Sequence, residues 1–300
     1  MKLLTFMPAG TTARAGVLVD ESTVVDLHAL GRAVGTELPD TALSYVGNPS
    51  LVAAATSALD SNDGKWPAQT AFPLADVMLH APHRPTKIVG VGLNYVEHVA
   101  ESSRTLDTDR ELPTRPVLFS KPATAVIGPG APIRHNAQLT KQLDWECELA
   151  VVIGKTATNV SAADALDYVF GYSITNDISA RDQRRSGQWF FSKGQDSYAP
   201  FGPWIVTADE IGDPQNLDVR LTVNGVEMQN SNTQHMLFSI ADLIADITSG
   251  MTLEPGDVIA TGSPSGVGAA QMPPQFLQPG DVVELTIEKI GRLTNPVVAV

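Results

Sequence analysis

A chain of 300 residues that is 43% hydrophobic and 18% charged, with 24 Gly and 21 Pro, has the make-up of a folded globular protein, which excludes a disordered or collagen-like chain. Its 33 acidic against 20 basic residues give a formal charge of −13, which argues against nucleic-acid or membrane binding through a general basic surface; an anionic substrate has to be drawn in by local cations. One cysteine, Cys147, can form neither an internal disulfide nor a multi-cysteine zinc site, so a framework held by packing in a reducing compartment, the cytoplasm, is expected. No uncharged apolar run approaches the ~20 residues of a membrane span, and neither a signal peptide nor a transmembrane helix is expected.

In chain order, short strands are predicted over residues 2–6, 15–19 and 23–26, followed by helices over 27–34 and 50–59, together a small α+β unit. Residues 61–85 carry Pro67, Pro73, Pro82 and Pro85 with little periodicity and read as a linker, which puts a domain boundary near residue 80: residues 1–80 as a small N-terminal domain, 81–300 as the main one. Beyond it come apolar runs of strand length at 87–91, 117–121, 145–153, 170–177, 203–207, 219–223, 258–261 and 282–287, so the fold class is α+β and β-rich. Ser161 with Asp164, and Ser239 with Asp242, have the spacing of helix N-caps, and Gly250 suits the end of the second helix. Asn224-Gly225 signals a type I′ hairpin. The phrase Leu-x-Pro-Gly-Asp-Val occurs at Leu253 and again at Leu277, each time as a Pro-Gly turn feeding a strand.

Familiar motifs are missing in instructive ways. Gly90-Val91-Gly92 lacks the third glycine of a dinucleotide fingerprint and reads as a tight strand-to-loop turn. Gly262-Ser263-Pro264-Ser265-Gly266 places proline where a nucleophile elbow needs serine, and no His-Glu-x-x-His pair supports a zinc protease.

The stretch DWECELAVVIG, from Asp144, carries the most chemistry. In a strand Trp145, Cys147, Leu149, Val151 and Ile153 share one face, and Glu146, Glu148, Ala150 and Val152 the other. Both faces turn apolar, as in a strand covered on both sides, where two same-face carboxylates repel unless a cation compensates them. The alternative is an exposed strand start with solvated carboxylates. Asp177 ends the alternating run FGYSITND on its polar face and supplies a third hard oxygen donor, a set suited to Mg²⁺, Mn²⁺ or Ca²⁺. His98 and Glu101 stand at i, i+3, where on a helix a carboxylate can orient an imidazole as a general base; a surface helix with a chance His/Glu neighbour is the alternative. Lys193 follows Trp189, Phe190 and Phe191, in keeping with a lysine of depressed pKa, an oxyanion-stabilising group, or a snorkelling surface chain.

Taken together, GLNYVEHVAES from Gly92, KPATAVIGPGAPI from Lys121, DWECELAVVIGK from Asp144, GYSITNDISARD from Gly171, QWFFSKGQDSYAPFGPWIV from Gln188 and PGDVIATGSPSGVG from Pro255 resemble the fumarylacetoacetate hydrolase family over residues ~85–300. The resemblance, closest to the acylpyruvase and 2-hydroxyhepta-2,4-diene-1,7-dioate isomerase branch, implies a mixed β-sandwich roll with a variable N-terminal region, in a homodimer. It implies metal carboxylates at Glu146, Glu148 and Asp177, a catalytic dyad at His98 and Glu101, an active-site lysine at Lys193, and substrate contacts at Arg181 and Ser263. Relatives carry one residue between Arg-Asp and a substrate-contacting Gln; here Gln183 comes immediately and Arg184 follows, and the sequence leaves both open for that contact. Leu93 stands where relatives often have Arg. Residues 102–115 fall where relatives vary a lid. The implied chemistry is metal-dependent hydrolysis of a C–C bond in a 2,4-dioxo acid, with decarboxylation or isomerisation of a related 2-oxo dicarboxylic acid as the alternative within the family and a non-catalytic metal-stabilised β scaffold outside it.

Overall fold

The computed structural model describes residues 1–62, 64–97 and 112–300. Its main feature is a large sheet in the order β4-β3-β2-β1-β14-β12-β11-β17-β6-β7, built from β1 (Lys2–Pro8), β2 (Arg14–Leu18), β3 (Thr23–Asp26), β4 (Ala71–Pro73), β6 (Ile88–Gly92), β7 (Val117–Lys121), β11 (Cys147–Ile153), β12 (Val169–Asn176), β14 (Ala199–Thr207) and β17 (Val258–Ala260). Two further strands lie off this path: β5 (Val77–His80) pairs with β1, and β8 (Val126–Ile127) with β14. A second sheet runs β16-β15-β18-β19-β9, from β9 (Ile133–His135), β15 (Asp218–Val223), β16 (Val226–Asn232), β18 (Val282–Ile287) and β19 (Gly291–Ala299), and β10 (Leu143–Asp144) pairs with β13 (Ser179–Ala180). The β-rich α+β class is as the sequence implies.

The two-faced reading of β11 explains the layering. Cys147, Leu149, Val151 and Ile153 enter one core with Val219, Leu221, Val283 and Leu285 of the second sheet and with Leu243 and Ile247 of the helix Ile240–Thr248. Ala150 and Val152 enter another with Leu27 and Leu30 of the helix Leu27–Val34 and Ala55 and Ala58 of the helix Pro49–Asp60. The central strand is therefore dry on both sides, and each Leu, Ile or Val buried there contributes about 1.5–3 kcal/mol.

Local signals hold where local physics decides. Ser239 and Asp242 form a reciprocal capping box. Asn224 and Gly225 both have positive φ (52° and 79°), as a type I′ turn requires. The repeated Pro-Gly-Asp corners match as well: Asp257 accepts from the Glu254 N–H, and Asp281 from the Gln278 N–H, each at 2.7 Å.

Elsewhere tertiary context wins. Residues 61–85 are not structureless: β4 pairs with β3 and β5 with β1. Their prolines sit at strand ends or beyond them, where no ladder donor is needed. Ser161 does bond Asp164 (2.7 Å), but β12 begins at Val169 and leaves room only for the 3₁₀ turn Ala165–Tyr168. Gly90 and Gly92 belong to β6 itself, and what they permit is close approach: a Cβ at Gly90 would lie 2.2 Å from the Phe119 ring, and one at Gly92 2.2 Å from Trp189.

His83 ties the segment after β5 to the corner before β17. Its ring is buried edge-on to Phe201 (centroids 5.5 Å apart), and its Nε2 lies 2.6 Å from the Gly256 carbonyl, to which it donates. Burial holds its pKa below 6.5, outweighing the pull of that carbonyl and of Asp257. A depressed histidine contributes stability that is fully present above the ordinary value and lost as pH falls through the lowered one. The melting temperature should therefore fall below about pH 6.5, and His83→Phe should flatten that acid limb in a scanning-calorimetry pH series.

Candidate active site

Register brings the three carboxylates together. Cys147 pairs with Asn176 across β11 and β12, so Glu146, one residue before β11, meets Asp177, one residue after β12; the Asp177 N–H donates to the Glu146 carbonyl at 2.9 Å. The Asn176 side chain accepts from the Glu146 N–H (3.0 Å) and holds this end of the strand pair from the other side. One carboxylate oxygen from each of Glu146, Glu148 and Asp177 lies within 4.8 Å of the others, and all three residues are buried. The solvated-strand alternative is thereby excluded.

Three cations face them, two buried lysines and an arginine whose side chain is largely covered. Lys193, closing the short helix Phe190–Lys193, donates to Glu146 Oε1 (3.0 Å), Ser179 Oγ (2.8 Å) and Asp177 Oδ2. Lys121, at the end of β7, donates to Asp177 Oδ1 and to the Ile178 carbonyl (3.2 Å). Arg181 pairs through Nε with Asp144 (2.9 Å) and through Nη2 with Glu146 (2.6 Å). Set against Asp144, Glu146, Glu148 and Asp177, these cations leave the described cluster one positive charge short.

The shortfall lands on Glu148. Its Oε2 accepts from the Gly262 N–H (3.0 Å), while its Oε1 is buried with no hydrogen-bond partner among the described residues. Burial first, then the charges of Asp177 and Glu146, push its pKa well above 4.5. An unpartnered hard oxygen beside two more carboxylates is what a hard divalent cation fits, so the donor set and the orphaned atom both accommodate such an ion.

Lys193 differs from two of the readings open in the sequence. It is buried rather than snorkelling, and although burial opposes its charge, Asp177 and Glu146 outweigh burial and raise its pKa. Its ammonium also lies 4.9 Å from the Phe119 ring centroid and 5.8 Å from that of Trp189. Burial drives the pKa of Lys121 the other way, with Asp177 only partly offsetting it.

Of the other residues, Gln183 donates to the Leu139 carbonyl (2.6 Å), Arg184 lies over Trp189 (5.2 Å), and Ser263 accepts from Gln229 (2.8 Å). His98, Glu101 and residues 102–111 of the lid stretch lie outside the described residues; Arg115, at its far end, pairs with Asp246. Three buried groups escaped the sequence reading. Lys121 shares a strand face with Phe119 by the alternation of VLFSK, but nothing local marks that face as the one turned to Lys193. Asp144 accepts from the Trp145, Gly268 and Ala269 N–H groups and from Arg181, and Gln229 bridges β11 to the 262–266 loop. Those partners are 34 to 125 residues distant for most of these bonds, and no local pattern announces them.

The chain belongs to an enzyme family: residues 87–298 match the model of the fumarylacetoacetate (FAA) hydrolase C-terminal domain. Among curated relatives the chain is 39% identical to an oxaloacetate tautomerase, mitochondrial fahd2 of Xenopus laevis, over 99% of this chain and 90% of that one. It is 44% identical to the oxaloacetate tautomerase YisK of Bacillus subtilis over 75% of each. Among solved structures it resembles maleylpyruvate hydrolase from Sphingobium sp. SYK-6, in complex with manganese(II) and pyruvate, at a TM-score of 0.79 and 32% identity, covering 100% of this chain and 99% of that one. No helix among the described residues is long and apolar enough to cross a membrane.

Proposed function

We propose that the protein is a divalent-metal-dependent enzyme that interconverts the enol and keto forms of a short 2-oxo acid, with oxaloacetate the first substrate to assay. The observation that carries this reading is the buried triad Glu146, Glu148 and Asp177 with one unpartnered oxygen, set beside a lysine held charged. The tautomerase relatives support the choice of reaction. The triad would hold Mg²⁺ or Mn²⁺, which supplies positive charge for the 2-oxo group and the carboxylate beside it. Lys193, whose three N–H groups lie on Glu146, Asp177 and Ser179 in this structure, would turn one of them to the C2 oxygen as negative charge develops there, and its raised pKa keeps it a donor. His98, oriented by Glu101, would carry the proton at C3: in the keto-to-enol direction neutral His98 takes it from C3 while the C2 oxygen takes one from solvent, and in reverse protonated His98 gives its proton to C3 while the enol O–H proton leaves to solvent.

A second reading, hydrolysis of the C–C bond of a 2,4-dioxo acid, is supported by the likeness to the maleylpyruvate hydrolase. In it the same His98 would activate water for attack on the C4 carbonyl.

The decay of enol-oxaloacetate, followed in the ultraviolet, should accelerate on adding enzyme with Mg²⁺ or Mn²⁺ and return to the uncatalysed rate in EDTA. Acceleration indifferent to EDTA would refute the metal-dependent tautomerase reading. Acylpyruvate cleavage that falls ~10²- to 10⁴-fold in His98→Ala, in an enzyme inert on enol-oxaloacetate, would install the hydrolase reading instead.

A further inference from the structure

We propose that Gln229 is the positioning residue of the Ser263 hydroxyl, fixing it as a hydrogen-bond donor to a carboxylate of the substrate. The inference deepens the reading of the site as one for 2-oxo acids and rests on it. Ser263 lies in the loop 262–266 that follows β17, and that loop is pinned at both ends. Gly262 (φ +99°) gives its N–H to Glu148, and a Cβ there would lie 2.6 Å from Asn94 Cβ. Gly266 (φ +101°) is pressed on β16, where a Cβ would meet the Met228 carbonyl oxygen at 2.0 Å. Only glycine tolerates both the conformation and the approach.

Gln229 stands where this loop meets the metal strand. It lies on β16, is 1% exposed, and spends both ends of its amide. Oε1 accepts from the Cys147 N–H (2.9 Å), the residue between Glu146 and Glu148. Nε2 donates to Ser263 Oγ (2.8 Å) and to the Pro264 carbonyl (2.8 Å). An N–H at one end and a carbonyl at the other permit only one orientation of the amide. Ser263 Oγ therefore receives a hydrogen from Gln229 and keeps its own proton to give. The acceptor for that proton within the described residues is the Pro264 carbonyl at 3.5 Å, too long to hold it. A spare donor thus sits one residue from the glycine that binds Glu148, where the carboxylate of a ligand chelating the metal can accept it.

A double-mutant cycle tests this. Oxalate binding to the Mn²⁺-loaded protein, by calorimetry, and KM for oxaloacetate should each worsen about tenfold or more in Ser263→Ala and in Gln229→Met. The double variant should be little worse than either single one, because both remove the same contact. Gln229→Glu adds a readout that a purely structural role would not move. Protonated, the carboxylic acid still donates to Ser263; ionised, it draws the hydroxyl proton to itself and away from the ligand. Its oxalate affinity relative to wild type should therefore fall as pH rises from 5 to 8. Losses that add in the cycle, or a Gln229→Glu ratio flat in pH, would overturn the assignment. An enzyme inert on oxaloacetate whose oxalate binding still shows the coupling would remove the tautomerase reading and leave the role of Gln229 in place.

Discussion

Replacing Glu148 with glutamine should have opposite effects on the metal-free and metal-loaded protein. In the absence of metal, Glu148 is a buried carboxylate with an unpartnered oxygen, facing two other carboxylates, and its ionised form is costly. Glutamine has the same shape, can still accept from the Gly262 N–H, and carries no charge. The variant should melt higher than wild type in EDTA, and the difference should depend on pH. A carboxyl whose folded-state pKa is raised contributes stability that is fully present below its ordinary value and lost as pH rises through the raised one. Wild type in EDTA should thus lose stability as pH climbs from about 4.5 upwards, while the Gln variant stays level over that window. With metal the order reverses: Mn²⁺ affinity should fall by about two orders of magnitude or more in calorimetry, since a charged oxygen ligand is gone. The metal-induced rise in melting temperature and the turnover should go with it. A variant that binds Mn²⁺ as wild type does, or that melts lower in EDTA, would remove Glu148 from the metal centre.

The carboxylate triad was legible because Glu148 lies in a strand whose two-residue period is visible, and Glu146 and Asp177 continue that period one residue beyond the ends of β11 and β12. DWECELAVVIG separates Cys147, Leu149 and Val151 from Ala150 and Val152 in the sequence, and the same residues part into two cores in the structure. What the alternation cannot show is the register between strands. The pairing of Cys147 with Asn176, not any property of Asp177 itself, brings that residue to Glu146. The counter-ions were harder. A lone Lys121 at a strand end reads locally as a solvated charge, and its partner Asp177 is 56 residues away. β19 escaped because Arg292, Thr294, Asn295 and Pro296 dilute its apolar pattern, although Leu293 and Val297 reach the core and Asn295 is buried through bonds to the Gly128 and Ala131 carbonyls. The cap of the helix Ile240–Thr248 was readable and the 3₁₀ turn after Asp164 was not, because both begin with the same local chemistry and only the distance to the next strand tells them apart.

Removing the charge of Lys193 tests the other half of the site, and its expected signature is the inverse of that for Glu148. Lys193 donates to Glu146, Asp177 and Ser179, so in the metal-free protein it is part of what keeps the carboxylates tolerable. Lys193→Met leaves them less compensated, and the variant should melt lower than wild type in EDTA. A divalent ion then binds a more negative site. Mn²⁺ affinity should be at least as high as in wild type, and the metal-induced rise in melting temperature larger. Turnover should nonetheless fall, by about 10²- to 10³-fold if the ammonium is the donor to the developing C2 oxyanion, since that is the usual consequence of deleting one such donor. Lys193→Arg separates position from charge: a guanidinium retains the charge but cannot place one nitrogen among Glu146, Asp177 and Ser179 as the ammonium does, so it should restore stability in EDTA more than rate. If Lys193→Met lost metal affinity and rate in the same proportion, the lysine would be acting only through the metal centre, and its direct contact with the reacting oxygen would have to be given up.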